Sequence, residues 1–260
     1  MDFGIKGKYA LVSGGSHGIG RAIALALARE GCNVAICARH NDKINKTVKE
    51  IRGTGVKGIG VSADVMVPND IKRVVKKIID SWGTIHILVN NVGGGGRWGS
   101  EKAEDTQEEV WLDVYNKNAL AAVRFTMLAL PYMKRQKWGR VVTITSTYGR
   151  EGGGRPWFSM AKTAQTALMK SLALDRRLVR NGITFNSVAP GCIMIPDTGW
   201  DSEEKKDPRA FAKMTDKSFP LGRLGTPEEV ANVAAFVCSE QASLVNGASI
   251  LVDGGESRVF

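Results

Sequence analysis

Short apolar runs alternate with amphipathic helical patterns from one end of the 260-residue chain to the other. A repeated order of strand, helix and strand is buried as a parallel sheet between two layers of helices. The pattern therefore predicts an α/β fold with a doubly wound, parallel, seven-stranded sheet and helices on both faces. The predicted strands are residues 8–13, 32–38, 58–62, 85–90, 139–145, 183–188 and 248–252. The predicted helices lie near residues 18–30, 41–53, 69–82, 106–135, 157–180 and 226–240.

Capping residues mark the expected starts of two helices. Thr106 and Glu109 have the spacing of a capping box, as do Thr226 and Glu229. Pro227 suits the first position of a helix, where its missing N–H costs nothing. These residues predict helix starts just after Thr106 and just after Thr226.

The long segment 192–222 contains Asp207-Pro208, which predicts a short helix within it. No composition shift and no repeat of solenoid length marks a second domain. We therefore expect residues 1–260 to form one domain, with residues 192–222 as a flap over a ligand site.

The composition excludes several classes of protein. The net charge is +10, but the Lys and Arg residues are spread over helical patterns such as 69–82. We therefore expect no nucleic-acid binding, and we attribute the positive charge to attraction of an anionic cofactor or substrate. No apolar stretch reaches about 18 residues and no signal peptide precedes the first strand, so no membrane association is expected. No pair among the four cysteines has metal-ligand spacing, which predicts reduced thiols, no metal site and a cytoplasmic location.

A glycine-rich turn joins the first strand to the first helix. Residues 13–20 read SGGSHGIG, with Gly14, Gly18 and Gly20 in the spacing G-x-x-x-G-x-G. Glycines allow a tight turn and a close backbone approach, and the helix N-terminus offers free amides to a pyrophosphate. At this position the turn predicts a dinucleotide site and the Rossmann-type form of the α/β fold.

The turn resembles the TGxxxGIG motif of the classical short-chain dehydrogenase/reductase family, with Ser13 in place of Thr. The resemblance covers nearly the whole chain and includes similarity to the 3-oxoacyl-carrier-protein reductases. Asp64-Val65 is similar to the pair that contacts adenine, Asn90–Gly93 resembles NNAG with Val92 for Ala, and Pro190-Gly191 matches the PG after the sixth strand. The cofactor-binding residues that the resemblance and the glycine turn imply are Gly14, Ser16, His17, Gly18, Ile19, Gly20, Arg39, His40, Asp64, Val65, Asn91, Gly93, Lys162, Pro190, Gly191 and Ile193.

The end of the second strand bears on the choice of cofactor. An NAD-type site would place an acid where Ala38 stands, to accept hydrogen bonds from the ribose 2′-hydroxyl. Arg39 follows, and a guanidinium suits a 2′-phosphate through charge-assisted hydrogen bonds. We expect NADP(H) as the cofactor, with NAD(H) as the alternative.

The catalytic residues follow from strand ends and helical spacing. Ser146 follows the fifth strand, and Phe158 and Lys162 are one helical turn apart on one face. With Asn118 they resemble the family's set of Asn, Ser, Tyr and Lys. The resemblance implies that Ser146 holds the substrate oxygen, Lys162 binds the nicotinamide ribose, and Asn118 holds a water of the proton relay.

Phe158 is the main departure from the family pattern, because Phe has no oxygen and no proton to give. An engineered change that traps a bound substrate is the explanation favoured by the otherwise complete site. The alternative is a natural homologue that binds the cofactor without catalysis. Tyr148 is not expected to take over, because it belongs to a loop. A second departure is Ile195, where the family often has Thr, so we expect Thr198 or backbone groups to make the carboxamide contact.

Three segments are expected around the nicotinamide: residues 93–98, 148–157 and the flap. Their arginines and aromatic residues suit an anionic small molecule with a carbonyl or a hydroxyl group. We therefore expect a ketone–secondary alcohol oxidoreductase, impaired at position 158, that forms a homotetramer. An acyl carrier protein is the alternative partner, facing a basic surface of Lys134, Arg135, Lys137, Arg176, Arg177 and Arg180. The expected substrate residues are Arg97, Trp98, Tyr148, Arg150, Arg155, Trp157 and Trp200.

Overall fold

The computed structural model describes residues 2–259, and it contains one parallel seven-stranded sheet in the order β3-β2-β1-β4-β5-β6-β7. The strands are β1 (Tyr9–Ser13), β2 (Asn33–Ala38), β3 (Gly58–Ser62), β4 (Ile87–Asn90), β5 (Gly139–Ile144), β6 (Ile183–Pro190) and β7 (Ser249–Val252). The helices are α1 (Gly18–Arg29), α2 (Asn41–Gly53), α3 (Pro68–Trp82), α4 (Glu108–Tyr115), α5 (Ala121–Arg135), α6 (Pro156–Ala173), α7 (Arg176–Val179), α8 (Gly199–Lys206), α9 (Pro208–Ser218) and α10 (Pro227–Val237). The predicted fold class is confirmed.

The sheet separates two apolar layers because successive side chains of a strand point to opposite faces. On β1, Ala10 and Val12 pack with α1, α2 and α10, while Leu11 packs with α3, α5 and α6. Every residue of β5 and β6 is buried, as expected for central strands covered on both sides. This arrangement brings the carboxyl ends of the strands together at one edge of the sheet.

The predicted helix 106–135 is interrupted. It consists of α4, a π-helical turn (Asn116–Leu120) and α5, and a 3₁₀ turn (Ala103–Asp105) precedes it. The capping box predicted at Thr106 is wrong, because α4 begins after Gln107 with no side-chain cap. Thr106 Oγ1 instead accepts from Ser100 N at 3.1 Å and donates to Lys102 O at 3.1 Å, so a local turn uses the hydroxyl.

The other helix signals are confirmed. Thr226 and Glu229 form both bonds of a capping box, and Pro227 is the first residue of α10. Asp207 accepts a hydrogen bond from Ala210 N at 3.0 Å and caps α9, the helix predicted at Asp207-Pro208. Residues 192–222 also contain a second helix, α8. The predicted helix 157–180 divides into α6 and α7 because Asp175 caps a new turn.

Candidate active site

A cavity of about 820 Å³ opens at the carboxyl ends of the strands. This is the edge where open α/β sheets bind ligands, at the point where strand order reverses between β1 and β4. Every residue expected to bind cofactor lines it: Gly14, Ser16, His17, Gly18, Ile19, Gly20, Arg39, His40, Asp64, Val65, Asn91, Gly93, Lys162, Pro190, Gly191 and Ile193.

The glycine turn is held to β4 by Ser13 and Asn91. Ser13 Oγ accepts from the backbone N–H groups of Asn91 and Val92 at 3.0 and 3.2 Å, so the serine hydroxyl fixes this junction. Asn91 Nδ2 donates to Ser13 O and Gly14 O. A Cβ on Gly20 would overlap the Asn91 amide and Gly14 O. The turn therefore needs glycine for packing as well as for close approach to a ligand.

The adenosine end of the cavity is formed by the ends of β2 and β3. Arg39 and His40 are exposed there, and the Arg39 carbonyl accepts from Ser62 Oγ at 3.2 Å. Asp64 is held by its backbone N–H, which donates to Asp70 Oδ2 at 2.8 Å. No acid stands at position 38, so Arg39 is free to meet an anion.

Ser146 and Lys162 meet at the opposite end of the cavity. Ser146 Oγ accepts from Tyr148 N at 3.3 Å, which leaves the serine hydrogen available to a ligand oxygen. Lys162 Nζ donates to Ile144 O at 3.1 Å and lies 5.6 Å from the centre of the Phe158 ring. Burial lowers the pKa of Lys162 to about 7, because a buried ammonium loses its hydration.

Asn118 is buried in the π-helical turn and does not itself line the cavity. Its Nδ2 donates to Gly94 O at 2.9 Å and Val114 O at 2.8 Å, and its Oδ1 accepts from Gly94 N at 3.2 Å. Its carbonyl accepts from Gln165 Nε2 of α6 at 3.1 Å. Asn118 thus fixes the loop after β4 relative to the helix that carries Lys162.

The mouth of the cavity is bridged by Arg97. Its Nη2 lies 3.1 Å from Glu203 Oε1, and its Cζ lies 5.6 Å from the centre of the Trp200 ring, both on α8. A Cβ at Gly199 would overlap the Arg97 guanidinium, so the glycine allows this crossing. Arg155 Nη1 donates to Trp98 O at 2.8 Å, which fixes the end of the loop formed by residues 93–98.

A family model described as enoyl-(acyl carrier protein) reductase matches residues 14–257. The chain belongs to the short-chain dehydrogenase/reductase family. This short-chain dehydrogenase/reductase is 35% identical over 250 residues to the 3-oxoacyl-[acyl-carrier-protein] reductase FabG of Staphylococcus epidermidis, covering 95% of this chain and 98% of the relative. FabG of Aquifex aeolicus is also 35% identical, over 98% of this chain and 99% of its own length.

Solved reductases share the fold. L-sorbose reductase from Gluconobacter frateurii, complexed with NADPH and L-sorbose, has a TM-score of 0.91 and 31% identity and covers 100% of both chains. A variant of actinorhodin polyketide ketoreductase with NADPH has a TM-score of 0.88 and 33% identity, covering 97% of this chain and 98% of its own. Membership of this family makes the chain an oxidoreductase of the short-chain dehydrogenase/reductase type.

Two residues expected around the nicotinamide lie elsewhere in this short-chain dehydrogenase/reductase. Trp157 is 0% exposed, packs edge-on against Trp111 at 5.4 Å and donates Nε1 to Gly95 O at 3.3 Å. Arg150 turns away from the cavity and donates Nη1 to Ser249 O of β7 at 2.8 Å. The cavity is instead lined by the other five expected residues: Arg97, Trp98, Tyr148, Arg155 and Trp200.

The basic side chains expected to receive an acyl carrier protein lie at the amino edge of the sheet. Lys134, Arg135 and Lys137 end α5 or follow it, just before β5 begins, and Arg176, Arg177 and Arg180 lie in or next to α7, just before β6. Helices in a doubly wound fold run antiparallel to the strands, so these side chains stand at the amino edge. The six residues of β5 span five rises of roughly 3.3 Å, about 17 Å, between that edge and the cavity.

Lys43, Lys117 and Cys192 also line the cavity, although the sequence did not assign them individually to the site. Lys117 Nζ lies 4.4 Å from the centre of the Trp98 ring, and Cys192 lies between this cavity and the C-terminal segment. Cys192 Sγ donates to Glu256 Oε1 at 3.1 Å, and burial together with that carboxylate raises the pKa of the thiol to about 12. The one feature of the sequence that could have assigned Lys117 to the site is its position directly before Asn118. Nothing in the sequence pairs Cys192 with Glu256.

No helix within residues 2–259 has both the length and the apolar character that crossing a membrane requires. In the same residues, no group of three or more His, Cys, Asp or Glu side chains is placed to hold a metal ion.

Proposed function

We propose that the chain is an NADP(H)-dependent oxidoreductase that interconverts a ketone and a secondary alcohol on an anionic small molecule in the cytoplasm. The observation that carries the proposal is one cavity with Ser146 and Lys162 at one end and Arg39, without an acid before it, at the other. Asp64 is the one carboxylate among the cavity-lining side chains of the described residues. The cations that line the same cavity are Arg39, Lys43, Arg97, Lys117, Arg155 and Lys162.

The residues present fit a dinucleotide phosphate. Gly14 and Gly18 have φ angles of +66° and +52°, and Cβ atoms at Gly14 and Gly20 would overlap the Asn91 amide, so the turn that offers its backbone amides to a pyrophosphate needs glycine at these positions. The L-sorbose reductase and the polyketide ketoreductase described above were both solved with NADPH, which supports the same cofactor here. Bound at this site, the cofactor supplies or accepts the hydride.

The side chains of the site then act on the substrate oxygen. Ser146 donates its hydroxyl hydrogen to that oxygen, while its own oxygen accepts from Tyr148 N. Lys162 presents its ammonium near the same end of the cavity, held by Ile144 O. Phe158 brings a ring without a hydroxyl, so no phenol is there to give the oxygen its proton. The oxidoreductase is therefore impaired at proton transfer, while its cofactor site is complete.

Phe158→Tyr tests this proposal. Positioned proton transfer is worth about 10²–10⁴ in rate, roughly 3–5.5 kcal/mol, so the tyrosine variant should reduce an accepted ketone faster by that factor. Cofactor affinity should be the same, because only the phenolic hydroxyl is added. The measurement is single-turnover oxidation of NADPH by both proteins with a panel of neutral and carboxylate-bearing ketones.

Each outcome separates the alternatives. Turnover by the Phe158 protein within a few-fold of the tyrosine variant would mean that another group carries the proton, and Tyr148 would be the next residue to replace. Cofactor binding by both proteins with no turnover by either would favour a non-catalytic cofactor-binding homologue.

A 3-oxoacyl thioester on an acyl carrier protein is the second candidate substrate. It is favoured by the 35% identity to two FabG reductases. The basic side chains at the amino edge of the sheet, at the ends of α5 and α7, are its proposed docking surface. Turnover of a carrier-linked thioester, but not of small ketones, by Phe158→Tyr would establish it.

A further inference from the structure

The turn that follows β6 forms the wall of the cavity beside Ser146. Strand β6 pairs in parallel with β5, the strand that leads to Ser146, so the residues after both strands lie next to each other. Gly191, Cys192 and Ile193 line the cavity there. A dinucleotide bound along the cavity therefore meets this turn at the end where the proposed hydride transfer takes place.

Backbone hydrogen bonds fix the outer side of this turn. Gly225 N donates to Cys192 O at 2.9 Å, and Met194 N donates to Gly225 O at 2.8 Å. In such a parallel bridge the backbone N–H and carbonyl of the residue between them, Ile193, point away from Gly225. Within residues 2–259 neither group has a hydrogen-bond partner, although Ile193 is buried. One donor and one acceptor are therefore left for a ligand, and they match the carboxamide of a nicotinamide ring.

The carboxylate of Glu256 holds the same turn from the side opposite the cavity. Its Oε2 accepts from Cys192 N at 2.7 Å, and its Oε1 accepts from Cys192 Sγ at 3.1 Å. Glu256 lines a smaller cavity of about 260 Å³, and Cys192 stands between the two cavities because it lines both. A Cβ at Gly191 would overlap Glu256 Oε2, so the glycine allows the carboxylate to approach.

The half-buried Glu256 carboxylate is held by uncharged donors. Within residues 2–259 it has no ion pair, and its side-chain hydrogen bonds both come from Cys192. In the smaller cavity Arg223 is engaged by Glu229, with Nη2 2.8 Å from Oε1. A partly buried carboxylate without a cation costs stability, and such groups are typical of functional positions.

We propose that Glu256 is a positioning residue for the nicotinamide: through Cys192, its carboxylate fixes the turn whose Ile193 backbone groups bind the carboxamide. The inference rests on the proposed NADP(H)-dependent function. A turn that is fixed before the ligand arrives loses no further freedom on binding, so Glu256 raises the affinity for the nicotinamide half of the cofactor without touching it. The adenosine half, bound at the other end of the cavity, gains nothing from this carboxylate.

The test compares a ligand that carries the nicotinamide with one that lacks it. Binding of NADPH and of 2′,5′-ADP is measured by calorimetry on the parent chain, on Glu256→Ala and on Glu256→Gln. We expect Glu256→Ala to bind NADPH roughly tenfold more weakly, the size of one charge-assisted hydrogen bond, and to bind 2′,5′-ADP as the parent does. Glu256→Gln keeps one oxygen that can accept from Cys192 N, so its loss should be smaller.

Glu228→Gln is the matched control, because it removes one carboxylate from the exposed surface of α10 and lines neither cavity. Thermal unfolding of each variant without ligand checks that the fold is intact. Unaltered NADPH binding by the folded Glu256 variants, or an equal loss for both ligands, would overturn the role of Glu256. Failure of the parent chain to bind either ligand would instead overturn the proposed NADP(H) dependence itself, so the two failures are distinguishable.

Discussion

The buried ammonium of Lys162 lowers the stability of the folded protein, although the proposed function uses it. The side chain is 4% exposed, and its one hydrogen-bond partner in the described residues is the neutral carbonyl of Ile144. An ammonium without a nearby carboxylate is expensive to bury, and it is tolerated where a bound ligand or a reaction uses it. The cofactor-free protein therefore holds this charge at a cost.

The cost predicts a pH-dependent effect of Lys162→Met. The folded-state pKa is about 7 and the unfolded value is 10.5, so below pH 7 both states are protonated and the penalty is fully present. As pH rises from about 7 toward 10.5 the unfolded state binds more protons, and the penalty declines. Lys162→Met should thus stabilise the cofactor-free protein by a few kcal/mol at pH 6, and by less at pH 9.

Urea denaturation of the parent and of Lys162→Met at pH 6 and pH 9 measures this difference, with Lys72→Met as the control for losing a surface charge. A stability gain that is the same at both pH values would contradict the buried-charge explanation.

Cofactor choice is a second property of single residues. Arg39 without an acid at position 38 should make NADPH bind at least about tenfold more tightly than NADH, because one charge-assisted bond to a 2′-phosphate is worth about that factor. Ala38→Asp combined with Arg39→Ile should reverse the order, since the new carboxylate accepts bonds from the ribose 2′-hydroxyl. Titration by nucleotide fluorescence decides it, and tighter binding of NADH by the unaltered chain would refute it.

The positions of some site residues could be predicted from the sequence, and those of others could not. Ser146 and Lys162 could be predicted because a strand end and an i, i+4 spacing fix their direction. Trp157 and Arg150 could not, since they lie at a helix start and in a loop, where sequence gives composition but no orientation. Trp157 lies one residue before Phe158, and that single step of helical rotation turns its ring into the core beside Trp111.

Among the elements, the strands were the most predictable, because their apolar runs are short and bounded by glycine or polar residues. The π-helical turn at Asn116–Leu120 was not predicted, since one inserted residue barely alters the apolar pattern of the flanking helices. Yet this turn places Asn118 against Gly94 and Lys117 in the cavity. The element that the sequence did not predict is therefore part of the candidate site, where local departures from regular structure are expected.

The capping box of α10 gives a prediction at the scale of the element. Thr226 Oγ1 accepts from Glu229 N at 3.3 Å, and Glu229 Oε2 accepts from Thr226 N at 2.8 Å. Thr226→Ala removes the first of these bonds and should lower the free energy of unfolding by about 1 kcal/mol. Thr226→Ser keeps the hydroxyl and should match the parent in urea denaturation; a similar loss in both variants would assign the effect to the methyl group instead.

At the scale of the whole molecule, the outer faces of α4, α5 and α6 are unusually apolar. Leu112, Met127 and Met160 are exposed on these three helices. Large exposed apolar side chains grouped on neighbouring helices are typical of a subunit interface. We expect a homotetramer, formed partly through this face and partly through the last strand and the Val259-Phe260 tail, of which Phe260 lies outside the described residues.

Light scattering at micromolar concentration tests the assembly, and a mass of 28.1 kDa would contradict it. Leu112→Glu with Met160→Glu should dissociate the tetramer, because two charges would be buried unpaired. Leu244→Glu alters a fully exposed leucine away from these helices and should leave the mass unchanged.

The two ends of the described chain are anchored at opposite edges of the sheet. Phe3 O accepts from Glu240 N beside the end of α10, whereas Glu256 holds Cys192 and Arg258 N donates to Glu151 Oε2 next to the cavity. A tether attached near residue 2 would therefore leave the cavity mouth facing away from a solid support. A tether near residue 259 would press the mouth against that support, so the direction of attachment alone would govern how freely an immobilised molecule exchanges ligands with the surrounding solution.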